Sequence, residues 1–336
     1  MKKFNTAIIG CGTIHTVHAI ILSGLTDAHL AAVADIDASR ADEAARKYGC
    51  KAYYSFDDVI ADPQIDTVHI CTPHYLHSSM AIEAMKAGKH VLTEKPMAIS
   101  VKECEDMIRV SEETGRQLGI CFQNRYNTTS MYIKELLQSC RAGAVLGAKA
   151  SVTWCRKKDY YLQNNWRGTW EKEGGGVMIN QAIHTLDLLQ WFIGDPVSIK
   201  GTTDTRMLAD VIEVEDTAEA TILFKNGVHA LFHATNGYAA DSPVELEIVC
   251  ENAVIKLADV LTVKYSNGET ETVTDIHPKT GEKAYYGVGH LSLIEDFYSS
   301  LAHDKPFPVS GRQGIEAVRL IQGLYSSSVS GKWIEL

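Results

Sequence analysis

Residues 4–35, FNTAIIGCGTIHTVHAIILSGLTDAHLAAVAD, decide the fold of this chain. Phe4–Ile9 is an apolar run of strand length. Gly10-Cys11-Gly12-Thr13-Ile14-His15 breaks it, a helical stretch runs to about Ser23, and His29–Ala34 is a second strand closed by Asp35. Strand, glycine turn, helix, strand and acid is the order of a dinucleotide-binding unit. Gly10 permits the tight turn, and Gly12 lets a pyrophosphate come close to the backbone. Thr13 and Ile14 open a helix whose free N–H groups and positive dipole end favour an anion. His15 stands where the third glycine of G-x-G-x-x-G would fall. Asp35 predicts NAD over NADP, because its carboxylate accepts from ribose hydroxyls and repels a 2′-phosphate. Arg40 is the counterweight, since a guanidinium there can meet that phosphate.

The alternation continues outward. Ala38–Tyr48 reads as a helix and Thr67–Cys71 as a buried strand. A helix over Ser78–Ala87 ends at Gly88, and His90–Thr93 is a strand. A further helix over Val101–Thr114 ends at Gly115, and Gln117–Phe122 is a strand. Strands alternating with helices give a parallel, doubly wound sheet, whose ligand lies beyond the carboxyl ends of its strands. Those ends carry Cys71, Thr72, Pro73 and His74 in one loop, Glu94 and Lys95 in the next, and Asn124 and Arg125 after the last. His15/His18 and His74/His77 have H-x-x-H spacing. No third ligand is near either pair in sequence, so His15, His18, His74 and His77 read as cofactor-rim contacts to phosphate or ribose, and no metal is expected. Lys95 lies between an apolar strand and Pro96. The proline disfavours helical backbone at Lys95 and holds it extended.

The second decisive run is GGGVMINQAIHTLDLLQWFIG, residues 174–194. It predicts one buried helix from Val177 to Ile193, with glycines before it and Gly194 after it. Asn180, His184 and Asp187 recur at helical spacing and share one face, Asp187 as a structural partner. The glycines read as letting the backbone pass close to a ligand.

Before this run, Tyr160, Tyr161, Trp166 and Arg167 lie in a polar aromatic stretch. Tyr161 is either a core anchor or a ligand contact, and Trp166 and Arg167 suit a sugar or a pyrophosphate. After it, strands over Val197–Thr205, Thr217–Phe224, Val228–Thr235, Val244–Cys250, Ala253–Leu257 and Leu261–Tyr265 predict a mostly antiparallel sheet. Asn226-Gly227 and Glu251-Asn252 are its hairpin turns. Two helices, His290–Ala302 and one over 311–330, close the chain, and the last can pack back on the first domain. The fold class is therefore α/β in two domains: a Rossmann unit over 1–122 and an α/β domain with a large open sheet over 123–336.

The 336 residues are 45% hydrophobic and 22% charged, with net charge −10 and no long basic run. That argues against nucleic acid and anionic membrane as partners. No stretch approaches the roughly 20 apolar residues of a membrane span. Eight cysteines without a C-x-x-C pair suit a reducing cytoplasm.

At its motifs the chain resembles the Gfo/Idh/MocA oxidoreductases. The pieces are GCGTIH (10–15), CTPHYLH (71–77), TEKPM (93–97), GGGVMINQAIHTLD (174–187) and the C-terminal HLSLIEDFY and PFPVSGRQGIEAVRLIQGLYSSS. The resemblance implies catalytic roles for Lys95 and His184, a second domain that forms a homodimer or homotetramer through its sheet, and a sugar substrate. The family's usual Asp, four residues before the His, is Asn180 here, which orients a substrate but takes no proton. Arg125 and Tyr161 join Lys95, Asn180 and His184 as expected substrate contacts. The implied activity is NAD-dependent oxidation of a ring hydroxyl of a sugar, glycoside or nucleotide sugar, with C3 the leading carbon. The alternatives are an NAD(P)H-dependent keto-sugar reductase, a glycosidase that retains NAD and oxidises C3 transiently, and a non-catalytic NAD-binding sensor.

Overall fold

The structure, a computed structural model, describes residues 3–163, 165–275 and 289–336. These form two compact units: residues 3–123 with 289–315, and residues 124–275 with 316–336.

The first unit is built on a six-stranded parallel sheet of β1 (Phe4–Ile9), β2 (Ala28–Ala34), β3 (Lys51–Tyr53), β4 (Thr67–Ile70), β5 (His90–Thr93) and β6 (Leu118–Ile120), in the order β3-β2-β1-β4-β5-β6. The order reverses between β1 and β4, which is where such sheets open a ligand crevice. Ile8, Val33, Val68, Ile70 and Leu92 are fully buried, so these strands read as unbroken apolar runs covered on both faces. The connecting helices are α1 (His15–Gly24), α2 (Ala38–Tyr48), α3 (Phe56–Ala61), α4 (His77–Lys86) and α5 (Val101–Thr114). Asp37 caps α2 through the N–H groups of Ser39 and Arg40, and Ser100 caps α5 through that of Glu103. Gly49 and Gly115 end these two helices in the left-handed conformation.

The second unit begins with α6 (Thr128–Gln138), β7 (Val145–Thr153) and α7 (Lys158–Leu162), followed by α8 (Val177–Asn180) and α9 (Ile183–Ile193). Its strands continue with β8 (Pro196–Asp204), β9 (Thr217–Phe224), β10 (His229–Thr235), β11 (Glu245–Cys250), β12 (Ala253–Leu257), β13 (Leu261–Tyr265), β14 (Thr270–Val273) and β15 (Ile334–Glu335). They make one nine-stranded sheet, β14-β13-β12-β11-β7-β10-β9-β8-β15. All its pairings are antiparallel except β7 with β10. Leu246, Ile248 and Cys250 are buried on one face of β11, while Glu245 is exposed on the other. Of the closing helices, α10 (His290–Ala302) belongs with the first unit. From Glu316 onward α11 (Gly311–Ser330) is grouped with the second, where Ser327 and Ser328 accept from Gly201 and Thr203 of β8. Among the described residues no helix is long and apolar enough to cross a membrane.

The single helix expected from Val177 to Ile193 is in fact two, α8 and α9. At the junction Ala182 N–H reaches back five residues to Val177 O (2.8 Å), and the next helix starts from Ala182 O, which accepts from Thr185 and Leu186. Gln181 is held at the break by Tyr160 and Asn236. These tertiary hydrogen bonds to distant residues, which the apolar periodicity cannot register, stop the ladder.

Candidate active site

In the first unit the glycine turn has two different glycines. Gly10 has φ +93°, and a Cβ there would sit 2.8 Å from Cys71 O, so both backbone and packing require glycine. At Gly12 an added Cβ would meet nothing within 4 Å. Its space is open to an outside group. Asp35 accepts from Cys11 N–H through Oδ2 (2.8 Å) and from Asp37 N–H through Oδ1 (2.9 Å), which fixes the carboxylate at the end of β2. Among the described residues no side chain caps α1, leaving its first N–H groups for an anion. An open glycine, an anchored acid and an uncapped helix start together fit the pyrophosphate and ribose of a dinucleotide. Arg40, 63% exposed, lies against Asp37 (3.4 Å) on the solvent side of α2.

Several residues expected to touch the cofactor from the loops after β4 and β5 are turned inward. His77 is fully buried and bridges the two loops, Nδ1 at Pro96 O (2.7 Å) and Nε2 at Thr72 O (2.9 Å). Cys71 and His74 are buried as well. Glu94 is buried against His18, whose Nε2 donates to Oε1 at 3.0 Å, with His290 Nε2 at 3.7 Å. Burial alone would raise the Glu94 pKa, but the hydrogen bond from His18 and the nearby His290 outweigh it and hold the carboxyl well below its usual range. Burial keeps His69 well below the ordinary imidazole value. These groups form one buried hydrogen-bonded chain. The Thr6 and Tyr298 hydroxyls are 2.6 Å apart, and Tyr298 OH lies 2.9 Å from His69 Nε2. His69 Nδ1 lies 2.9 Å from His18 Nδ1, and His18 Nε2 donates to Glu94. His18, expected on the cofactor rim, is thus a core residue. Beside it, the half-buried Lys95 donates its backbone N–H to Glu94 Oε2 (3.2 Å), and the Lys95–Pro96 peptide is cis. Thr72 and Pro73 are half-buried, as is Asn124 in the 3₁₀ turn Gln123–Tyr126.

In the second unit the residues around α8 form a dense polar cluster. His184 occupies the first turn of α9 and is 7% exposed. The half-buried Asn180 ends α8. Its Nδ2 donates to Glu173 Oε1 (2.5 Å) and lies 3.3 Å from Tyr160 OH. Glu173 Oε2 accepts from Gly168 N–H. Burial raises Glu173 to a pKa of about 7, against the lowering hydrogen bonds from Gly168 and Asn180. Arg167 stacks over Tyr160 (4.3 Å) and Trp166 (5.1 Å), making a cationic aromatic corner beside Asn180.

Two expected substrate contacts are core residues instead. The Tyr161 ring packs with Leu208, Ile212 and Val214, and its hydroxyl accepts from Asn236 (3.0 Å). Arg125 is buried in a two-pronged ion pair with Asp187. The glycines before α8 also serve packing within the unit. A Cβ on Gly175 would fall 2.0 Å from Tyr325 OH, and one on Gly176 would fall 1.8 Å from Glu215 O. Glu215 then accepts from Gly176 N–H, Met178 N–H and Tyr325 OH. Reading the sequence missed Glu173 and Tyr160 as partners of Asn180. Glu173 carries no spacing signal, although an acid directly before three glycines was visible.

Two family models match the chain. Residues 4–122 match "Oxidoreductase family, NAD-binding Rossmann fold", and residues 130–256 match "GFO/IDH/MocA C-terminal domain". The chain is 30% identical over 239 residues to glucose-6-phosphate 3-dehydrogenase of Bacillus subtilis, covering 68% of this chain and 66% of that one. It is 24% identical over 338 residues to inositol 2-dehydrogenase of Rhizobium meliloti, covering 98% of each. Among solved structures, the WlbA dehydrogenase of Bordetella pertussis in complex with NADH and UDP-GlcNAcA superimposes with a TM-score of 0.87 at 27% identity, covering 100% of this chain and 99% of that one.

Proposed function

The chain belongs to the Gfo/Idh/MocA oxidoreductase family, and we propose that within it the protein oxidises the C3 hydroxyl of a sugar phosphate or nucleotide sugar. Its first domain is an NAD-binding Rossmann domain, and its relatives are NAD-dependent dehydrogenases of sugar hydroxyls. One observation carries the choice of carbon: the relative matched at 30% identity is named a 3-dehydrogenase. The Arg167–Tyr160–Trp166 corner beside Asn180 supports an anionic sugar, because a guanidinium pairs with phosphate or carboxylate while aromatic faces cover a pyranose ring.

Gly10, Gly12, Thr13, Ile14 and Asp35 would hold NAD, which supplies the hydride acceptor when bound. Lys95 brings a positive charge to the alkoxide that forms as the ring carbon is oxidised. His184 takes the hydroxyl proton as general base. Asn180 accepts from a substrate hydroxyl and sets the ring's orientation. A panel of sugars, sugar phosphates and nucleotide sugars incubated with NAD tests this through absorbance at the NADH wavelength. Turnover confined to anionic sugars is expected. NADH formation from no member of the panel would end the proposal.

A further inference from the structure

Asn180 cannot take a proton, yet the structure sets a carboxylate from elsewhere in the chain against it. Glu173 is 1% exposed and reaches Asn180 from the far side of the three glycines. We infer that Glu173 is a positioning residue that fixes which way round the Asn180 amide stands, so that the bound sugar must offer a hydroxyl donor to Oδ1. The inference rests on the dehydrogenase reading above and adds the group that orients its substrate.

The geometry is over-determined. One Glu173 oxygen is taken by Gly168 N–H, a backbone donor that cannot turn over. The other takes Asn180 Nδ2 at 2.5 Å. Above its pKa of about 7 the Glu173 side chain is a carboxylate, which accepts and does not donate. Both donors are therefore satisfied only when the amide of Asn180 points its nitrogen inward, and Oδ1 then faces the opposite way. Tyr160 OH, 3.3 Å from the same Nδ2 and from Gln181 Nε2, completes the inner side. The Arg167 guanidinium lowers the Glu173 pKa and Glu215 raises it. Glu173 itself is too buried to touch a substrate. It acts through Asn180, which is half-buried.

Replacing one acceptor by a donor should reverse the amide. In Glu173→Gln the Gly168 N–H keeps the glutamine oxygen, so glutamine Nε2 faces Asn180. Two donors then oppose each other until Asn180 rotates, turning Oδ1 inward and Nδ2 toward the substrate. In Asn180→Asp alone, two carboxylates face each other at the 2.5 Å contact and one must hold a proton. In Glu173→Gln/Asn180→Asp the partners have exchanged roles. Aspartate accepts from glutamine Nε2 and again shows an acceptor to the substrate.

The experiment is the full double-mutant cycle, read as KM and kcat for the sugar that the wild type oxidises fastest and as Tm without ligand. Each single variant should lose about 10- to 100-fold in kcat/KM, mostly through KM, as expected for a buried donor or acceptor left unmatched. The double variant should recover at least about tenfold over the worse single and regain its Tm. A double variant whose losses are the product of the two singles overturns the proposal. A merely structural role for Glu173 would not be rescued in KM by a change at Asn180. If the wild type oxidises no sugar, the dehydrogenase reading and the substrate-orienting role fall together, whereas a Tm cycle without coupling removes the Glu173–Asn180 pair on its own.

Discussion

Arg125 and Asp187, 62 residues apart, form a buried ion pair in which Nε lies 2.7 Å from Oδ2 and Nη2 lies 2.6 Å from Oδ1. The pair fixes α9 one turn beyond His184, with the Arg125 guanidinium 5.4 Å from the Trp191 ring centroid. Burial pushes the Asp187 pKa up and Arg125 opposes it. Arg125→Leu should cost about 3–5 kcal/mol, because it strands a buried carboxylate. Arg125→Leu/Asp187→Leu should be more stable than Arg125→Leu alone. Urea unfolding of the three proteins gives the comparison, and equal losses in the single and double variants would mean that the carboxylate was never stranded.

Asp35 bears on cofactor choice. Its two oxygens are aimed by backbone N–H groups and not by flexible side chains. Asp35→Ala should weaken NADH binding roughly tenfold or more and narrow the preference over NADPH, since it removes a charged acceptor for the ribose hydroxyls. Fluorescence titration with both nucleotides measures it. Unchanged NADH affinity would remove Asp35 from the cofactor site.

Glu215 makes stability depend on pH. Burial raises its pKa to about 7 despite the N–H groups of Met178 and Gly176. The folded state then holds a proton that the unfolded chain has released between its ordinary value of 4.5 and about 7. Its contribution is therefore full below the unfolded pKa and falls as pH rises through the folded one. The stability difference, wild type minus Glu215→Gln, should drop by about 3 kcal/mol between acidic and mildly alkaline pH. Urea midpoints at four values of pH test this, and a flat difference refutes it.

Tyr298 stands between Thr6 and His69 in the buried chain that leads to Glu94. Tyr298→Phe leaves His69 Nε2 without its hydroxyl partner and should cost about 1–2 kcal/mol while leaving NADH affinity unchanged. Equal stability of the variant would show that His69 finds another partner.

The first unit was legible because its strands are continuous apolar runs bounded by turn residues. The bounds expected for Phe4–Ile9 and His90–Thr93 match those found. β3 and β15, of three and two residues, were not legible, since strands that short exist only through pairing with β2 and β8. The parallel pairing of β7 with β10 is likewise non-local. Lys95, Asn180 and His184 were found through a resemblance carried by short motifs. What those motifs hid was partnership. Arg125 looked like a strand-end cation until Asp187 met it, and Tyr161 read equally as core anchor or ligand contact until Leu208 and Ile212 enclosed it. Glu173 looked like any surface acid before a glycine turn, and only the folded chain shows that it is buried against Asn180.

The central claim is hydride removal from C3 of an anionic sugar. The direct measurement uses the sugar that the protein oxidises fastest, deuterated at C3, and follows the mass of the reduced nicotinamide together with the rate. Reduced cofactor one mass unit heavier and a slower hydride-transfer step are expected. Unlabelled NADH, with the deuterium retained in the sugar, would contradict it.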